Sequence, residues 1–449
     1  MVNEKKVAIV GCGFVGSSSA FALMQSGLFS EMVLIDVDKN RAEGEALDIA
    51  HGMTFAEPMK IYAGDYSDVA DAAMIVVTAG AAQKPGETRL DLVNKNVNIF
   101  KSIIPEIKKS GFDGILLIVS NPVDVLTYAA IKMSGLPEGH VIGSGTVLDT
   151  GRLQQMLGAH VEVDPRDVQA YVMGEHGDSE FVAWSSAQVA GVPLNTFCEL
   201  HGHLEHEAAE KRIAEDVKNS AYTIIEKKHA TYYGVAMAVK RICTAVMRDE
   251  QTVLPVSSLM VGEYGLSDLA ISMPTVVGRD GVVCRVPVPL NDDEQHELTA
   301  SAKALRTIQM NDLPVIAPDR RVLGVIRPTV EIIGDLTKSR HVGILATEGT
   351  VRSNSYNLEI QKFFPDIKVT GQACPLWAAI VEAGEAETEG ADYFVRKRIG
   401  QLLEKDNKID TIILGCTHYP LLMNALRKAV PQGVTIVPQG EYVAASLED

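Results

Sequence analysis

"VAIVGCGFVGSSSAFAL", residues 7–23, decides the fold of the N-terminal part of the chain. Its apolar first half leads into a glycine-rich turn, and its second half has the composition of a helix. Gly11, Gly13 and Gly16 stand in the spacing G-x-G-x-x-G, and Asp36 follows 20 residues beyond Gly16, at the end of the apolar run EMVLID. A strand, a glycine-rich turn, a helix and an acidic residue after the next strand form the pattern that binds a dinucleotide.

Each residue of this pattern has a physical reason. Gly11 permits a tight turn, Gly13 lets the backbone approach a pyrophosphate, and Gly16 lets the helix pack closely on the strand. The amino end of the helix favours the negative charge of phosphate groups. Asp36 can accept hydrogen bonds from the adenosine ribose and would repel a 2′-phosphate, so the sequence predicts NAD rather than NADP. The alternatives are a glycine-rich turn that binds nothing and a Rossmann protein that only binds its nucleotide.

The composition narrows the class of protein. The chain has 449 residues, which predicts two or three domains. Hydrophobic residues make up 46% and charged residues 22%, as in a globular protein. A formal net charge of −17 argues against binding nucleic acid or an anionic membrane through bulk charge. An anionic substrate would therefore need locally placed arginines.

The cysteines indicate a reduced compartment, and we expect a cytoplasmic protein. They are widely spread and form no C-x-x-C pair, and no H-E-x-x-H motif is present, so no metal site is expected. The first residues imitate a signal peptide, but the glycine motif accounts for the same residues. No apolar run reaches the roughly 18 residues that a membrane span needs.

Four apolar runs bounded by Gly, Asp or Asn predict buried parallel strands with helices between them, which means a doubly wound sheet. They are KVAIVG, EMVLID, MIVVTAG and GILLIVSN. Further along, we predict a long helix through residues 205–229, strands within 254–265 and 282–290, and a helix over 291–309 that Asn291 or Asp292 caps.

The pattern breaks at MNDLPVIAPDRRV, residues 310–322, and then β/α alternation begins again. We therefore predict four segments: a dinucleotide-binding Rossmann domain, an α+β substrate domain, a linker and an incomplete α/β lobe. Their boundaries are residues 1–148, 149–313, 314–321 and 322–449.

Polar residues follow several predicted strands, where doubly wound sheets bind their ligands. They include Arg89, Asn121, Asp149, Arg152 and His176. Hydride transfer from a nicotinamide to a ketone uses such a set, because a protonated imidazole gives its proton to the carbonyl oxygen. A carboxylate holds the imidazole, one arginine binds a substrate carboxylate as a fork, and a second arginine polarises the carbonyl.

Residues 1–313 resemble the bacterial L-lactate dehydrogenases, through G-x-G-x-x-G, QKPGETRLDL, SNPVDVLTY, GTVLDTGR, GEHGDSE and ATYYG. The resemblance implies reversible, NADH-dependent reduction of pyruvate to (S)-lactate by a homotetramer. It makes His176 the proton donor, Asp149 its partner, Arg152 the carboxylate-binding residue and Arg89 the residue that polarises the carbonyl from a closing lid.

The resemblance also implies two sets of binding residues. The substrate pocket would be formed by Gln83, Arg89, Asn121, Asp124, Asp149, Arg152 and Thr231. The cofactor would be contacted by Gly11, Gly13, Val15, Gly16, Asp36, Arg41, Tyr66, Gly80, Ala81, Ser102, Val119, Asn121 and Ser144. Gln83 would set specificity, since malate-specific relatives have an arginine there to pair with a second carboxylate.

Three positions depart from the pattern of that family. Allosteric members carry an arginine and a histidine that bind fructose 1,6-bisphosphate, and here Gln154 and Gln169 hold those positions. We therefore expect an enzyme that this sugar bisphosphate does not activate. His229 stands where a glycine is usual.

Residues from about 322 onward resemble the C-terminal half of bacterial glutamate racemase, through GVIRPTVEII, LATEGTVRSNSYNLEI, ACPLWAAIVEAGE and LGCTHYPLL. That family racemises with two opposed cysteines. The resemblance makes Cys416 the second of these, with Thr417 binding substrate and His418 supporting the thiol. The first half of the family pattern, with the other cysteine, is missing, and Cys374 matches a non-catalytic position.

The missing half leads to a structural expectation and to three readings of the lobe. Residues 322–408 would form a lobe of their own, and TIILGCTHYPLL, residues 411–422, would be a strand without partner strands. The first reading is an inactive racemase fragment on a lactate dehydrogenase. The second is a bifunctional enzyme whose missing half is supplied in trans. The third is a docking lobe for a separate protein.

Overall fold

The structure, a computed structural model, describes residues 3–81, 89–202, 204–309, 329–330, 332–353 and 355–438. The chain divides into two compact units, Met1–Arg320 and Arg321–Asp449. The predicted linker at residues 314–321 lies outside the described residues.

The first unit begins with the predicted parallel strands, which pair in the order β3-β2-β1-β4-β5-β6. Their bounds are β1 Asn3–Val10, β2 Glu31–Ile35, β3 Lys60–Ala63, β4 Ala72–Val77, β5 Ile115–Ile118 and β6 Val141–Gly143. The connecting helices are α1 Phe14–Met24, α2 Lys39–His51, α3 Arg89–Ser110 and α4 Val123–Ser134. The four apolar runs are thus confirmed as strands, and the order is that of dinucleotide-binding sheets.

Alternate residues of each strand enter different cores on the two faces of the sheet. Val7 and Ile9 of β1 pack in one cluster, while Ala8 and Val10 pack in the other. This burial on both faces explains why the strands are continuous apolar runs rather than alternating ones.

The rest of the first unit mixes helices with short and long strands. Its helices are α5 Val147–Val161, α6 Leu194–Leu200, α7 His206–Lys228, α8 Tyr233–Met247 and α9 Asp292–Thr307. Its strands are β7 Val168–Gln169, β8 Val172–Met173, β9 Phe181–Val182, β10 Gln188–Val189, β11 Val192–Pro193, β12 Thr252–Val261, β13 Ser267–Gly278 and β14 Gly281–Arg285. The long helix and both predicted strands are confirmed, and Asn291 caps α9.

The last three strands extend the first sheet to nine strands, since β12 pairs antiparallel with β6 at Ser257 and Gly143. Strand β13 was not predicted from the sequence; it lies between β12 and β14 and pairs antiparallel with both. The sheet therefore continues across the boundary predicted between the Rossmann and substrate domains.

The second unit contains one four-stranded parallel sheet in the order β16-β15-β17-β18. These strands are β15 His341–Ala346, β16 Lys368–Ala373, β17 Thr411–Gly415 and β18 Thr435–Pro438. The helices are α10 Ile333–Leu336, α11 Glu348–Ser353, α12 Ser355–Phe363, α13 Trp377–Glu382, α14 Glu389–Lys405 and α15 Met423–Ala429.

The expectation that β17 lacks partner strands is wrong. Ile412 of β17 faces Gly343 of β15 on one side and Ile436 of β18 on the other. The chain supplies β18 itself, because α15 leads it back to the open side of β17. The expected lobe of residues 322–408 therefore extends to β18, and Ile412 is fully buried.

No helix in the described part of either unit is long and apolar enough to cross a membrane.

Candidate active site

The glycine-rich turn has the geometry that its sequence predicted. Gly11 has φ 100° and donates its N–H to the carbonyl of Ile35 at 2.7 Å. A Cβ at Gly11 would lie 2.5 Å from the backbone nitrogen of Ala79, and one at Gly16 would lie 1.8 Å from the carbonyl oxygen of Gly11. A Cβ at Gly13 would meet nothing within 4 Å, so the turn is open there for a ligand to approach the backbone.

Asp36 closes the other side of this turn. Its carboxylate accepts the backbone N–H of Cys12 at 2.6 Å and that of Asp38 at 2.9 Å. These bonds fix the carboxylate at the carboxyl end of β2, beside the glycine turn. The open face at Gly13 and the fixed acid beside it fit the pyrophosphate and the adenosine ribose of NAD.

Most of the other residues assigned to the cofactor follow the carboxyl ends of the parallel strands. They are Val15 after β1, Arg41 after β2, Tyr66 after β3, Gly80 and Ala81 after β4, Val119 and Asn121 after β5, and Ser144 after β6. Ser102 lies instead within α3, where its hydroxyl donates to the carbonyl of Ile99 at 2.7 Å.

Asn96 is a residue that the sequence analysis missed. It lies buried on α3, accepts the N–H of Ala81 at 2.7 Å and donates to the carbonyl of Asn121 at 2.6 Å. One amide thus joins the segments that follow β4 and β5. The sequence could have indicated this residue, because Asn96 is a polar residue on the apolar face of α3, three residues after Val93.

The predicted catalytic residues Asp149, Arg152 and His176 lie together. Asp149 is buried in the first turn of α5, and its Oδ1 accepts Nη1 of Arg152 at 2.8 Å. Its Oδ2 lies 2.6 Å from Nδ1 of His176. One buried carboxylate therefore orients both the imidazole and the guanidinium.

The charges around His176 favour its protonated form. Burial alone would lower its pKa, but the charge and the hydrogen bond of Asp149 outweigh burial and raise the pKa to about 9. Burial would raise the pKa of Asp149, yet His176 and Arg152 hold it below its usual value. His176 keeps 26% of its side chain exposed, so an imidazolium at neutral pH remains accessible to a substrate.

Asp124, in the first turn of α4, fixes the backbone at His176. Its Oδ2 accepts the N–H of His176 at 2.8 Å, and its Oδ1 accepts the hydroxyl of Ser272 at 3.1 Å. Burial raises the pKa of this carboxyl. Asp124 of α4 and Asp149 of α5, the helices that follow β5 and β6, thus both contact His176.

The remaining substrate residues are less fully described. Asn121 follows β5 and precedes Pro122 with a cis peptide bond, and Thr231 lies half-buried between α7 and α8. Arg89 is the first residue of α3, and its side chain lies outside the described part. Gln83 lies outside the described residues.

A second carboxylate near the imidazole also escaped the sequence analysis. Oε2 of Glu180 lies 3.8 Å from Nδ1 of His176, and only 7% of its side chain is exposed. Burial and the charge of Asp149 raise the pKa of Glu180 to about 8. Glu180 is the last residue of the motif GEHGDSE, but the sequence does not show that the turn brings its carboxylate back to His176.

Among the described residues, Asp149, His176 and Glu180 form a group whose ligand atoms lie within 4.8 Å of one another. The other oxygen of Asp149 is paired with Arg152, and an imidazolium has no lone pair for a metal ion. We therefore keep the prediction that the site holds no metal.

The second unit has a thiol at the carboxyl end of its sheet. Sγ of Cys416 lies 3.7 Å from Nδ1 of His418, and Nε2 of His418 lies 3.3 Å from the carboxylate of Glu382. Thr417 is exposed beside them. Glu382 was not singled out in the sequence, because the contact joins α13 to the turn that follows β17.

Cys374 does not face this thiol as an open second cysteine. It is buried, burial raises its pKa to about 12, and its carbonyl accepts the hydroxyl of the buried Tyr419 at 2.9 Å. Residues 321–449 contain no further cysteine.

Comparison with known proteins agrees with both units. Residues 5–143 match the family model of the lactate/malate dehydrogenase NAD binding domain, and residues 146–312 match that of the lactate/malate dehydrogenase alpha/beta C-terminal domain. Residues 319–446 match the model of Asp/Glu/hydantoin racemase.

Curated relatives match the first unit over nearly their whole length. L-lactate dehydrogenase 1 of Clostridium acetobutylicum is 53% identical over 306 residues, which cover 68% of this chain and 98% of that protein. L-lactate dehydrogenase of Acetivibrio thermocellus is 52% identical over 304 residues, which cover 68% of this chain and 96% of that protein.

Solved structures give the same result. A lactate dehydrogenase from a Medee basin deep-sea metagenome library matches with a TM-score of 0.67 and 46% identity, covering 70% of this chain and 99% of its own. The minor L-lactate dehydrogenase of Enterococcus mundtii, in the ligands-bound form, matches with a TM-score of 0.66 and 42% identity, covering 71% and 99%. The chain therefore belongs to the L-lactate dehydrogenase family, with NAD as its cofactor and a racemase-like domain at its C-terminal end.

Proposed function

We propose that residues 1–313 catalyse the reversible reduction of pyruvate to (S)-lactate by NADH. The observation that carries this proposal is the buried Asp149 carboxylate, which holds His176 on one oxygen and Arg152 on the other. One carboxylate on the first turn of α5 thereby orients an acid for the carbonyl oxygen and a cation for the carboxylate. A 2-oxo monocarboxylic acid presents those two groups on adjacent carbons.

NADH, when bound, supplies the hydride for the carbonyl carbon. His176 holds the matching proton, and with Nδ1 against Asp149 it can give a proton from Nε2 to the carbonyl oxygen. Asp149 stabilises the imidazolium that donates the proton in pyruvate reduction. In lactate oxidation the neutral imidazole takes the proton of the hydroxyl group, and Asp149 stabilises the imidazolium that forms. The guanidinium of Arg152 binds the carboxylate as a fork, with Nη1 anchored on Asp149.

The other substrate residues complete this assignment by resemblance. Asn121 and Thr231 line the pocket, Asp124 holds the backbone of His176, and Arg89 polarises the carbonyl.

Gln83 leaves a second substrate carboxylate unpaired, so pyruvate is preferred to oxaloacetate. Changing Gln83→Arg should move the ratio of the two kcat/KM values toward oxaloacetate by about 10- to 100-fold.

We also infer that fructose 1,6-bisphosphate does not activate the enzyme. Gln154 donates to the carbonyl of Val168 at 3.1 Å, and Gln169 accepts the side chain of Gln188 at 2.7 Å. Both side chains are neutral and engaged within the chain, so neither supplies a cation to a phosphate. Strong activation by the sugar bisphosphate in a pyruvate assay would contradict this inference.

We infer a homotetramer in the cytoplasm. Exposed apolar side chains on the packed helices α1 and α8 support association: Phe14, Phe21, Tyr233 and Met237. All six cysteines are described and free, which supports a reduced compartment. Light scattering on the purified chain tests the number of subunits.

We keep the segment boundaries 1–148, 149–313, 314–321 and 322–449 as part of the proposal.

The racemase-like unit is expected to be inactive by itself. Two-thiol racemisation needs an acid and a base on opposite faces of the substrate, and this unit offers Cys416 alone, because Cys374 is buried. The intact contact of Cys416 with His418 favours, as the alternative, a lobe that contributes to glutamate racemisation when a partner supplies the missing half.

Two assays on one preparation test both units. Pyruvate-dependent oxidation of NADH should be rapid, and exchange between D- and L-glutamate should be absent. If pyruvate reduction is missing, the first proposal fails. Substantial exchange that disappears on Cys416→Ala would overturn the assignment of the second unit as inactive.

A further inference from the structure

We propose that Glu180 is a positioning residue of the dehydrogenase: a second carboxylate that, together with Asp149, holds the imidazolium of His176. The proposal rests on the function assigned above to His176. Neither the family resemblance nor the comparisons assign this residue a role.

The backbone places Glu180 for this task. The N–H of Glu180 donates to the carbonyl of Gly177 at 3.2 Å, which closes a turn directly after the imidazole. Gly177 has φ 154°, a value that favours glycine. The turn brings the carboxylate of residue 180 back toward residue 176, and β9 begins at the next residue.

Both carboxylates face the same ring nitrogen. Nδ1 of His176 lies 2.6 Å from Asp149 and 3.8 Å from Oε2 of Glu180. The shorter distance is a direct hydrogen bond, and the longer one is a contact between an imidazole and a carboxyl group that is itself almost fully buried. Coulomb attraction over that distance is considerable when solvent does not screen it.

The charged groups around this pair come from three helices. Asp124 faces the imidazole from α4, and Asp149 and Arg152 face it from α5. Lys218 approaches from α7, where its Nζ donates to the carbonyl of Asp178, and its charge partly offsets the effect of burial on Glu180.

The arrangement gives Glu180 a role that depends on pH. Its pKa of about 8 means that the carboxyl is largely neutral at low pH and becomes charged as the pH rises. The new negative charge then favours the imidazolium at the pH where that proton would begin to leave. Glu180 therefore extends the range over which His176 stays protonated, while Nε2 alone touches the substrate.

The test is the isosteric, neutral variant Glu180→Gln. In pyruvate reduction, which requires the imidazolium, the alkaline limb of the kcat/KM profile should move down by about one pH unit. In lactate oxidation, which requires the neutral imidazole, the acid limb should move down by the same amount. Glu210→Gln is the matched control, because Glu210 is another carboxyl whose pKa burial raises, but it lies half-buried on α7.

Two further measurements separate this role from a merely structural one. Glu180→Asp retains the charge, so its profile should lie closer to the wild type than that of Glu180→Gln. The pH midpoint for modification of the His176 peptide by diethyl pyrocarbonate, followed by mass spectrometry, should fall in Glu180→Gln. This readout does not require turnover, so it tests Glu180 even if pyruvate proves not to be the substrate.

Profiles and midpoints of Glu180→Gln within 0.2 pH unit of the wild type, a resolution set well below the expected shift of about one unit, would overturn the proposal. So would an equal shift in Glu180→Asp, or an equal loss of both reaction directions with no shift of either limb.

Discussion

At the scale of the residue, His176 carries the strongest prediction. His176→Asn should lower kcat/KM for pyruvate by about 10²- to 10⁴-fold, because the general acid is lost while the pocket keeps its shape. Fluorescence titration should show NADH binding unchanged. His201→Asn, at an exposed position, serves as the control. Near-normal turnover in His176→Asn would mean that another group supplies the proton.

The protonation of His176 also sets a pH dependence. Its folded-state pKa of about 9 lies above the ordinary histidine value of 6.5, so the imidazolium contributes stability below pH 6.5. That contribution is lost as the pH rises through about 9. Pyruvate reduction should decline over the same upper range, whereas lactate oxidation should increase. A steady-state profile between pH 6 and pH 10 checks this, and a decline centred near pH 7 would contradict it.

His229 gives a prediction about stability. It ends α7 with φ 67°, in the left-handed region that costs a residue with a Cβ about 1–2 kcal/mol. His229→Gly should therefore raise the free energy of unfolding by about 0.5–1 kcal/mol, part of the relief being offset by the entropy of the unfolded glycine. Urea unfolding measures the change. His229→Ala keeps the strain and should show no gain.

At the scale of the element, the start of α9 shows a cap that two side chains share. Oδ1 of Asn291 accepts the N–H of Glu294, whose carboxylate accepts the N–H groups of Asn291 and Ser185. Asn291→Ala should lower the free energy of unfolding by about 1 kcal/mol. Asp292→Ala, one residue on, should cost less. Equal losses in both variants would show that the cap contributes little.

The sequence predicted those elements whose signal is local. Continuous apolar runs identified β1, β2, β4 and β5, because strands buried on both faces need no alternation. Strand β13 was not predicted, because its apolar run contains Pro274 and polar residues. Strand β17 was predicted to lack partner strands because the racemase resemblance places them in a missing half, whereas β15 and β18 pair with it here. Pairing depends on contacts between distant segments, which local patterns do not record.

The residues of the candidate site also differ in whether a local sequence pattern could predict them. Asp149, Arg152 and His176 were predictable because each stands in a motif. Asn96 and Glu180 were not, because their roles arise from contacts to Asn121 and His176 that only the folded chain creates.

At the scale of the whole molecule, the two units have separate hydrophobic cores. Among the residues that the structure describes, every member of three buried clusters lies before residue 310, and every member of the other two lies after residue 329. A chain that ends after Leu313 should therefore reduce pyruvate with a kcat/KM within about twofold of the full chain, since the first unit has hydrophobic clusters of its own. A large loss of activity or a change of subunit number in light scattering would show that the second unit supports the first.

The strand β18 has a consequence for how such a chain can arise. Because β17 is paired on both sides by strands of its own segment, the segment brings its sheet neighbours wherever it is joined. A recombination event that places it behind an unrelated gene thus adds a sheet whose central strands are already paired, with β16 and the short β18 at its edges. A composite protein of this kind can be retained before its second unit has a function. The contact between Cys416 and His418 then remains available for a function acquired later.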